Sequence, residues 1–393
     1  MLDIWPALPI YIYVLAIGRR PRGMANIIVA LKQHDLVCKI HIDGIPNSLL
    51  KKFATMKKPF PALTSLRLWS KEENALLLPD SFLGASAPRL RSLDLSGIPF
   101  PALPKLLLST HDLAILHLWE IPHSGYISPG TMVACLSGLS RLESLYLVFR
   151  FPRLRVHRAS RIRPLLTRVV LPALTSFDFK GNSEYLEDMV SRIDSPRLSY
   201  THITFLNQLV FDTPLLRNFI SRTETFKVPH RADVLFSNNR VEVSLFRRKE
   251  TADHRMLEFR ISCKPSDWQL SSIAHVCSSS LPRLSTLEHL GIYENRFSKP
   301  QWRDDMENTQ WLELLYPFFA VKDLVLSEKL VQLIAPALQD LTEERVTEVL
   351  PALQNLVLQG PEASGPVEDA IGRFIAARQL SGHLVTVHHQ ERR

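Results

Sequence analysis

Fourteen histidines and four cysteines are the side chains of this 393-residue chain best suited to ligate a metal or attack a bond. Their spacing keeps them apart. His275 and Cys277 fall two residues apart in one helix-like stretch and so point to different sides of it. His111 and His117 lie on a loop and on the strand that follows it, and His388 and His389 are adjacent near the C-terminal end. Cys38, Cys135, Cys263 and Cys277 are distant in sequence, form no Cys-x-x-Cys, and read as buried reduced thiols. The acids of "DDMEN" at 304–308 read as the charged first turn of a helix. The sequence contains no HExxH, GxSxG or phosphate-binding loop. The expectation is a chain that is not an enzyme and holds no metal or cofactor.

Recognition is the chemistry that remains. "RFPRLRVHRASRIRPLLTR" at 150–168 carries seven arginines and no acid. Arg153, Arg155, Arg158 and Arg161 are the residues there that could meet phosphates or an acidic partner. Phe151 is its one aromatic, so the stretch reads first as a solvated loop, and nucleic acid is not the favoured partner. The formal charge of +8 bears on association and solubility rather than on fold.

A second set of candidates lies between recurring leucines. The anchors of an L-x-x-L-x-L string stand at Leu63/Leu66/Leu68, Leu90/Leu93/Leu95, Leu113/Leu116/Leu118, Leu142/Leu145/Leu147 and Leu174/Phe177/Phe179. Weaker copies start at Val37, Leu198, Leu287, Val321 and Leu353. From Val37 to Leu198 the first anchors recur every 23 to 32 residues, the interval of leucine-rich repeats. The final L-x-L is a short strand of period two, so its leucines face a core and the residue between them faces away. A single unit cannot bury its apolar side, and stacked units can. The fold expected is α/β, a leucine-rich-repeat solenoid with a curved parallel sheet on the concave face and helices on the convex one. Arg67, Trp69, Asp94, His117, Trp119, Tyr146, Asp178 and Lys180 are then the expected partner-binding residues of the concave face, with Trp69 and Trp119 at equivalent positions two repeats apart. Exposed Trp, Tyr and Arg are the residue types that carry binding energy at interfaces.

Helices are expected between strands. "NIIVALKQH" and "GTMVACLSGL" each gather apolar residues on one side. From about Ser221 to Lys264 the repeat fades into longer alternating strands, "ADVLFSNNRVEVSLF" and "LEFRISCK", the first turning at Asn238-Asn239. "WLELLYPFF", "EKLVQLIAPAL" and "GPVEDAIGRFIAARQL" then read as helices, the last with a buried stripe of Val367, Ile371, Phe374 and Ile375, and "HLVTV" as a last strand. The chain reads as one elongated domain with a soft boundary: repeats over 1–222 and their irregular continuation over 223–393. The run Ile4 to Ile17 is too short to span a bilayer, contains Pro6 and Pro9, and reads as a buried strand and loop. No membrane partner and a cytoplasmic or nuclear location are expected.

The segments "IWPALPI", "DLVCKIHIDGI", "FPALTSLRLW", "APRLRSLDLSGIPFPALPKLLLS", "HLWEIPHSGYISPGTMVACLSGLSRLESLYLVF", "LPALTSFDFKG", "DWQLSSIAHVCSSSLPRLSTLEHLGIYE" and "FIAARQLSGH" occur here in order. In them the chain resembles the leucine-rich region of basidiomycete F-box proteins. That resemblance implies the target-selecting part of an SCF-type ubiquitin ligase, in which an F-box docks on a Skp-type adaptor and the repeats hold a protein target. No F-box-like segment precedes "IWPALPI", so binding of the adaptor is expected only where an F-box lies upstream. The alternative is a stand-alone leucine-rich-repeat scaffold or sensor outside ubiquitination.

Overall fold

The computed structural model describes residues 8–15, 24–73, 75–150, 168–206, 213–249, 252–263, 266–281, 284–302, 307–341, 343–360 and 365–390. They gather into two compact units, Met1–Leu198 and Ser199–Arg393.

The first unit runs β1 (Ile10–Val14), α1 (Met24–Lys32), β2 (Val37–Asp43), α2 (Asn47–Ala54), β3 (Ser65–Trp69), β4 (Ser92–Ser96), α3 (Leu103–Leu107), β5 (Ile115–Ile121), α4 (Pro129–Leu136), β6 (Ser144–Phe149), β7 (Val169–Val170), β8 (Ser176–Gly181), α5 (Ser183–Ser191) and β9 (Ile193–Asp194). The strands pair in the order β1-β2-β3-β4-β5-β6-β8, every pair parallel, while β7 and β9 form a separate short pair. Leu66, Leu93, Leu116, Leu145 and Phe177 stand side by side in register, and Leu68, Leu95, Leu118, Leu147 and Phe179 form the next such row. The anchors of both rows are buried, most of them completely, which is what turning one period-two face to the core requires. The helices add their own apolar stripes, Leu49, Leu50 and Phe53 from α2 and Met132, Val133, Cys135 and Leu136 from α4.

Most copies lack the asparagine that strict repeats place three residues after the last leucine, with Lys71 and Ile98 standing there, but Asn182 and Asn295 occupy it in two copies. The turns are tied laterally by backbone. Thr64 N–H donates to the Cys38 carbonyl, Arg91 N–H to Thr64, Ala114 N–H to Arg91 and Glu143 N–H to Ala114, each at 2.8 Å, and Thr175 N–H to Glu143 at 2.9 Å. This ladder satisfies polar groups that would otherwise be stranded beside the core. Helix starts are equally local. Ser128 accepts from the Thr131 N–H ahead of Pro129 in α4, and Asn182 accepts from the Tyr185 N–H in α5.

The second unit runs β10 (Tyr200–Leu206), α6 (Pro214–Arg222), β11 (Arg231–Ser237), β12 (Arg240–Lys249), β13 (Ala252–Ser262), α7 (Ser266–Ser279), β14 (His289–Glu294), α8 (Asn308–Leu315), β15 (Asp323–Ser327), α9 (Glu328–Gln339), β16 (Asn355–Gln359), α10 (Pro366–Leu380) and β17 (Thr386–Gln390). Its strand order is β10-β13-β12-β11-β14-β15-β16-β17. The expectation of a parallel sheet holds from β14 to β17 and between β10 and β13, but β11–β12 and β12–β13 are antiparallel. The cause is loop length. Ser237 pairs with Arg240 across Asn238-Asn239, and a two-residue loop can close only an antiparallel hairpin. The backbone ladder resumes beyond it: Lys322 N–H donates to Glu288, Gln354 N–H to Lys322 and Thr386 N–H to Gln354, each at 2.8 Å.

Four sequence readings need correction. The stretch expected to be a buried strand and loop supplies β1, whose Tyr11 and Tyr13 are exposed while Ile12 faces the core; residues 1–7 and 16–23 lie outside the described residues. The helix read through "WLELLYPFF" stops at Leu315, ahead of Pro317. The last strand begins at Thr386, leaving Leu384 exposed. In α10 the buried residues are Ala370, Ile371, Phe374 and Arg378, with Val367 and Ile375 only half-buried. Among the described residues, no helix is long and apolar enough to cross a membrane.

Candidate functional site

The leucine rows fix what the opposite face of the first sheet displays. Tyr13, His41, Arg67, Asp94, His117, Tyr146 and Asp178 form one unbroken row across β1 to β8. Asp43, Trp69, Ser96 and Trp119 form a second row, which Val148 and Lys180 continue on β6 and β8. Lys39, Ser65, Ser92, Ile115, Ser144 and Ser176 form a third. All eight expected partner-binding residues therefore lie in two adjacent rows of one face. Trp69 is 37% exposed, Trp119 and Tyr146 are half-buried, and Asp178 is buried at 9%.

Short serines beside long side chains hold this face in place. Ser65 Oγ lies 2.8 Å from His41 Nε2, and Ser144 Oγ lies 2.9 Å from His117 Nε2. Arg67 Nε stands between Asp43 Oδ1 at 3.4 Å and Asp94 Oδ2 at 3.8 Å. Burial raises the Asp94 carboxyl above its ordinary value, and Asp43 adds to this while Arg67 opposes it. Burial lowers His41, helped by Arg67 and Lys39. Burial brings His117 down to about 4, with Arg67 adding and Asp178 opposing. Both imidazoles are thus neutral near pH 7. Lys71 lies over the Trp69 ring, 5.0 Å from its centroid.

A bulge interrupts the pairing of β5 with β6 between Leu118 and Ile121. Glu120, inside it, has φ of 50°, a left-handed conformation that costs a residue with a Cβ about 1–2 kcal/mol. Its carboxylate lies 3.6 Å from Arg150 Nε and 3.9 Å from Lys180 Nζ. Trp119 packs against Tyr146 with ring centroids 5.0 Å apart.

On the second sheet a different cluster appears. Glu258, 2% exposed, accepts from Arg260 Nη2 at 2.7 Å and Arg255 Nη1 at 2.6 Å, and His202 Nε2 lies 3.6 Å away. Arg260 Nε also donates to Glu242 at 3.1 Å. The geometry is that of buried carboxylates compensated by guanidinium groups, which fixes side chains rather than freeing a reactive one.

Sequence reading missed His41, Glu120 and the Glu258 cluster. His41 sits between Ile40 and Ile42, so the repeat pattern itself marks it. Arg260 stands two residues from Glu258 in β13, so the alternation of "LEFRISCK" marks that pair as well, whereas the bulge at Glu120 has no such mark. Arg153, Arg155, Arg158 and Arg161 lie outside the described residues. Among the described residues, no group of three or more His, Cys, Asp or Glu is placed to hold a metal ion.

No protein-family model matches the chain, and no curated protein matches it in sequence. Among solved structures, it is similar to the leucine-rich repeat-containing protein LegL7 from Legionella pneumophila, at 12% identity over 88% of this chain and 99% of that one. The TM-score is 0.29, too low to add to what the strand register already shows.

Proposed function

We infer that the chain is a leucine-rich-repeat protein whose N-terminal sheet docks a protein partner on its polar face, without bond chemistry. The carrying observation is the register. It sets the non-leucine residues of successive repeats in continuous rows, so that Arg67, Trp69, Asp94, His117, Trp119 and Tyr146 share one surface. Pinned, partly desolvated Trp, Tyr and Arg side chains are the kind that dominate binding energy. Ion pairs hold Arg67, and ring contacts hold Trp119 and Tyr146, which reduces the ordering cost of docking.

The resemblance to basidiomycete F-box proteins extends this reading to the target-selecting part of an SCF-type ubiquitin ligase. A scaffold or sensor outside ubiquitination is the alternative. The test uses the full chain as bait, with Arg67→Glu/Trp69→Ala as the variant. A specifically captured protein should be lost from the variant while its circular dichroism stays that of the parent, although the charge reversal beside Asp43 and Asp94 lowers its melting temperature. Capture that survives the double substitution rejects the docking face. A purified Skp-type adaptor tests the ligase reading: target binding with no adaptor binding by the protein including any upstream segment favours the scaffold.

A further inference from the structure

Trp69, Ser96 and Trp119 are consecutive members of one row on the polar face, with the small residue between the two large ones. Neighbouring strands lie about 4.8 Å apart, so the two tryptophan positions are about 9.6 Å apart across Ser96. Among the described residues their rings are not in contact. Trp119 leans onto Tyr146 of β6, on the side away from Ser96, with centroids 5.0 Å apart, and Trp69 carries Lys71. A notch is left over Ser96. Among the described residues no group pairs with the Ser96 hydroxyl or with either indole N–H. The charges around the notch are already matched. Arg67 stands between Asp43 and Asp94, and Glu120 faces Arg150 and Lys180. What remains open is uncharged: two indoles with their N–H donors, and one hydroxyl.

We propose that this notch receives an extended segment of the docked protein that carries prolines three residues apart and lies across the strands, a proposal that rests on the reading of this face as a docking surface. A polyproline II helix has three residues per turn and rises about 3.1 Å per residue, so its residues i and i+3 share one side about 9.3 Å apart. That repeat matches two strand spacings, about 9.6 Å. A β-strand sets same-side residues about 6.7 Å apart, and an α-helix brings its face round every 5.4 Å or so, and neither fits. One proline then meets each indole, while the two residues between them pass over Ser96, where a larger side chain would obstruct the backbone. The apolar proline ring needs no counter-charge, in keeping with carboxylates that are already paired. A polyproline II segment is stiff before it binds, which keeps its ordering cost low, and aromatic-lined grooves are where such segments dock. Its carbonyls have no internal partners and can accept from the indole N–H groups.

The indole N–H resonances of the full chain, assigned through Trp69→Phe and Trp119→Phe, test this by NMR titration. The probes are acetyl-Ala-Pro-Ala-Ala-Pro-Ala-amide and its isomer acetyl-Ala-Ala-Pro-Pro-Ala-Ala-amide, which has the same composition without the spacing. The spaced peptide should shift the Trp69 and Trp119 signals at about fivefold lower concentration than the isomer, the ratio that one ring contact gives. Ser96→Phe, which fills the notch and keeps both tryptophans, should abolish the response. If that variant loses its circular dichroism, Trp69→Leu decides the matter, because with one ring gone the two peptides should become equivalent. Signals that neither peptide moves, equal responses to both in the parent chain, or a response that survives in a folded Ser96→Phe variant overturn the proposal. If it fails while Arg67→Glu/Trp69→Ala still loses a captured partner, the docking face stands and the proline-bearing occupant alone is rejected.

Discussion

Tyr185→Phe should make the N-terminal unit more stable. The Asn182 side chain accepts from the Tyr185 backbone N–H at 3.0 Å, which places this residue in the first turn of α5. Its ring packs among Phe149, Phe179 and Tyr126 at centroid distances of 4.9, 5.8 and 5.9 Å. The residue is 5% exposed, and its hydroxyl has no hydrogen-bond partner among the described residues. An unpaired buried hydroxyl costs about 1–3 kcal/mol. The oxygen removed leaves a void of roughly 10–15 Å³, worth about 0.3 kcal/mol at about 24 cal/mol per Å³. The net gain is about 1 kcal/mol, or about 2–4 °C for a unit of this size, read by scanning calorimetry or urea denaturation. A pH dependence separates this cause from better packing. Burial, with Tyr126, Asp188 and Cys135 close by, pushes the phenol above its ordinary range. A raised folded-state pKa gives stability that is complete below the unfolded value near 10 and is lost as pH rises above it. The phenylalanine variant has no such loss, so its advantage should widen by about pH 10.5. Destabilisation by about 0.5 kcal/mol or more at neutral pH, or parallel alkaline limbs, would refute the reasoning, because the hydroxyl would then have a partner.

Two further outcomes follow from buried polar groups. His117 is lowered from 6.5 to about 4 by burial, so the stability it contributes is present above pH 6.5 and is lost as pH falls toward 4. His117→Gln should flatten the acid limb of the N-terminal unit's unfolding curve, and an unchanged limb rejects the assignment. Arg378, fully buried, donates from Nη1 to the Val346 carbonyl at 3.1 Å and from Nη2 to the Leu350 carbonyl at 2.7 Å. Arg378→Ala should cost the second unit about 3 kcal/mol in urea denaturation, from two orphaned carbonyls and a cavity. Arg378→Met should recover only the volume share, and a methionine variant as stable as the parent would show that the hydrogen bonds contribute nothing net.

The leucine string was enough to specify the strands and their inward face. Period two at Leu66/Leu68 or Leu145/Leu147 leaves one way to bury both side chains, and the recurrence of the string makes each unit the neighbour of the next. That logic also places Arg67, Trp69, His117 and Tyr146 on one face, and it applies equally to His41. Asn238-Asn239 likewise announced a hairpin. Other features were invisible in the string. Arg378 could not be matched with the Val346 and Leu350 carbonyls, because pairing of this kind is set by helix packing rather than by local spacing. The contact of Trp119 with Tyr146 depends on one extra residue in β5, and no local preference of Glu120 favours the left-handed backbone it adopts. Short-range periodicity thus determined which side chains face the core and which face away. Only the assembled sheet decided which of the outward ones touch, since that depends on lateral alignment between residues some 23 to 32 positions apart.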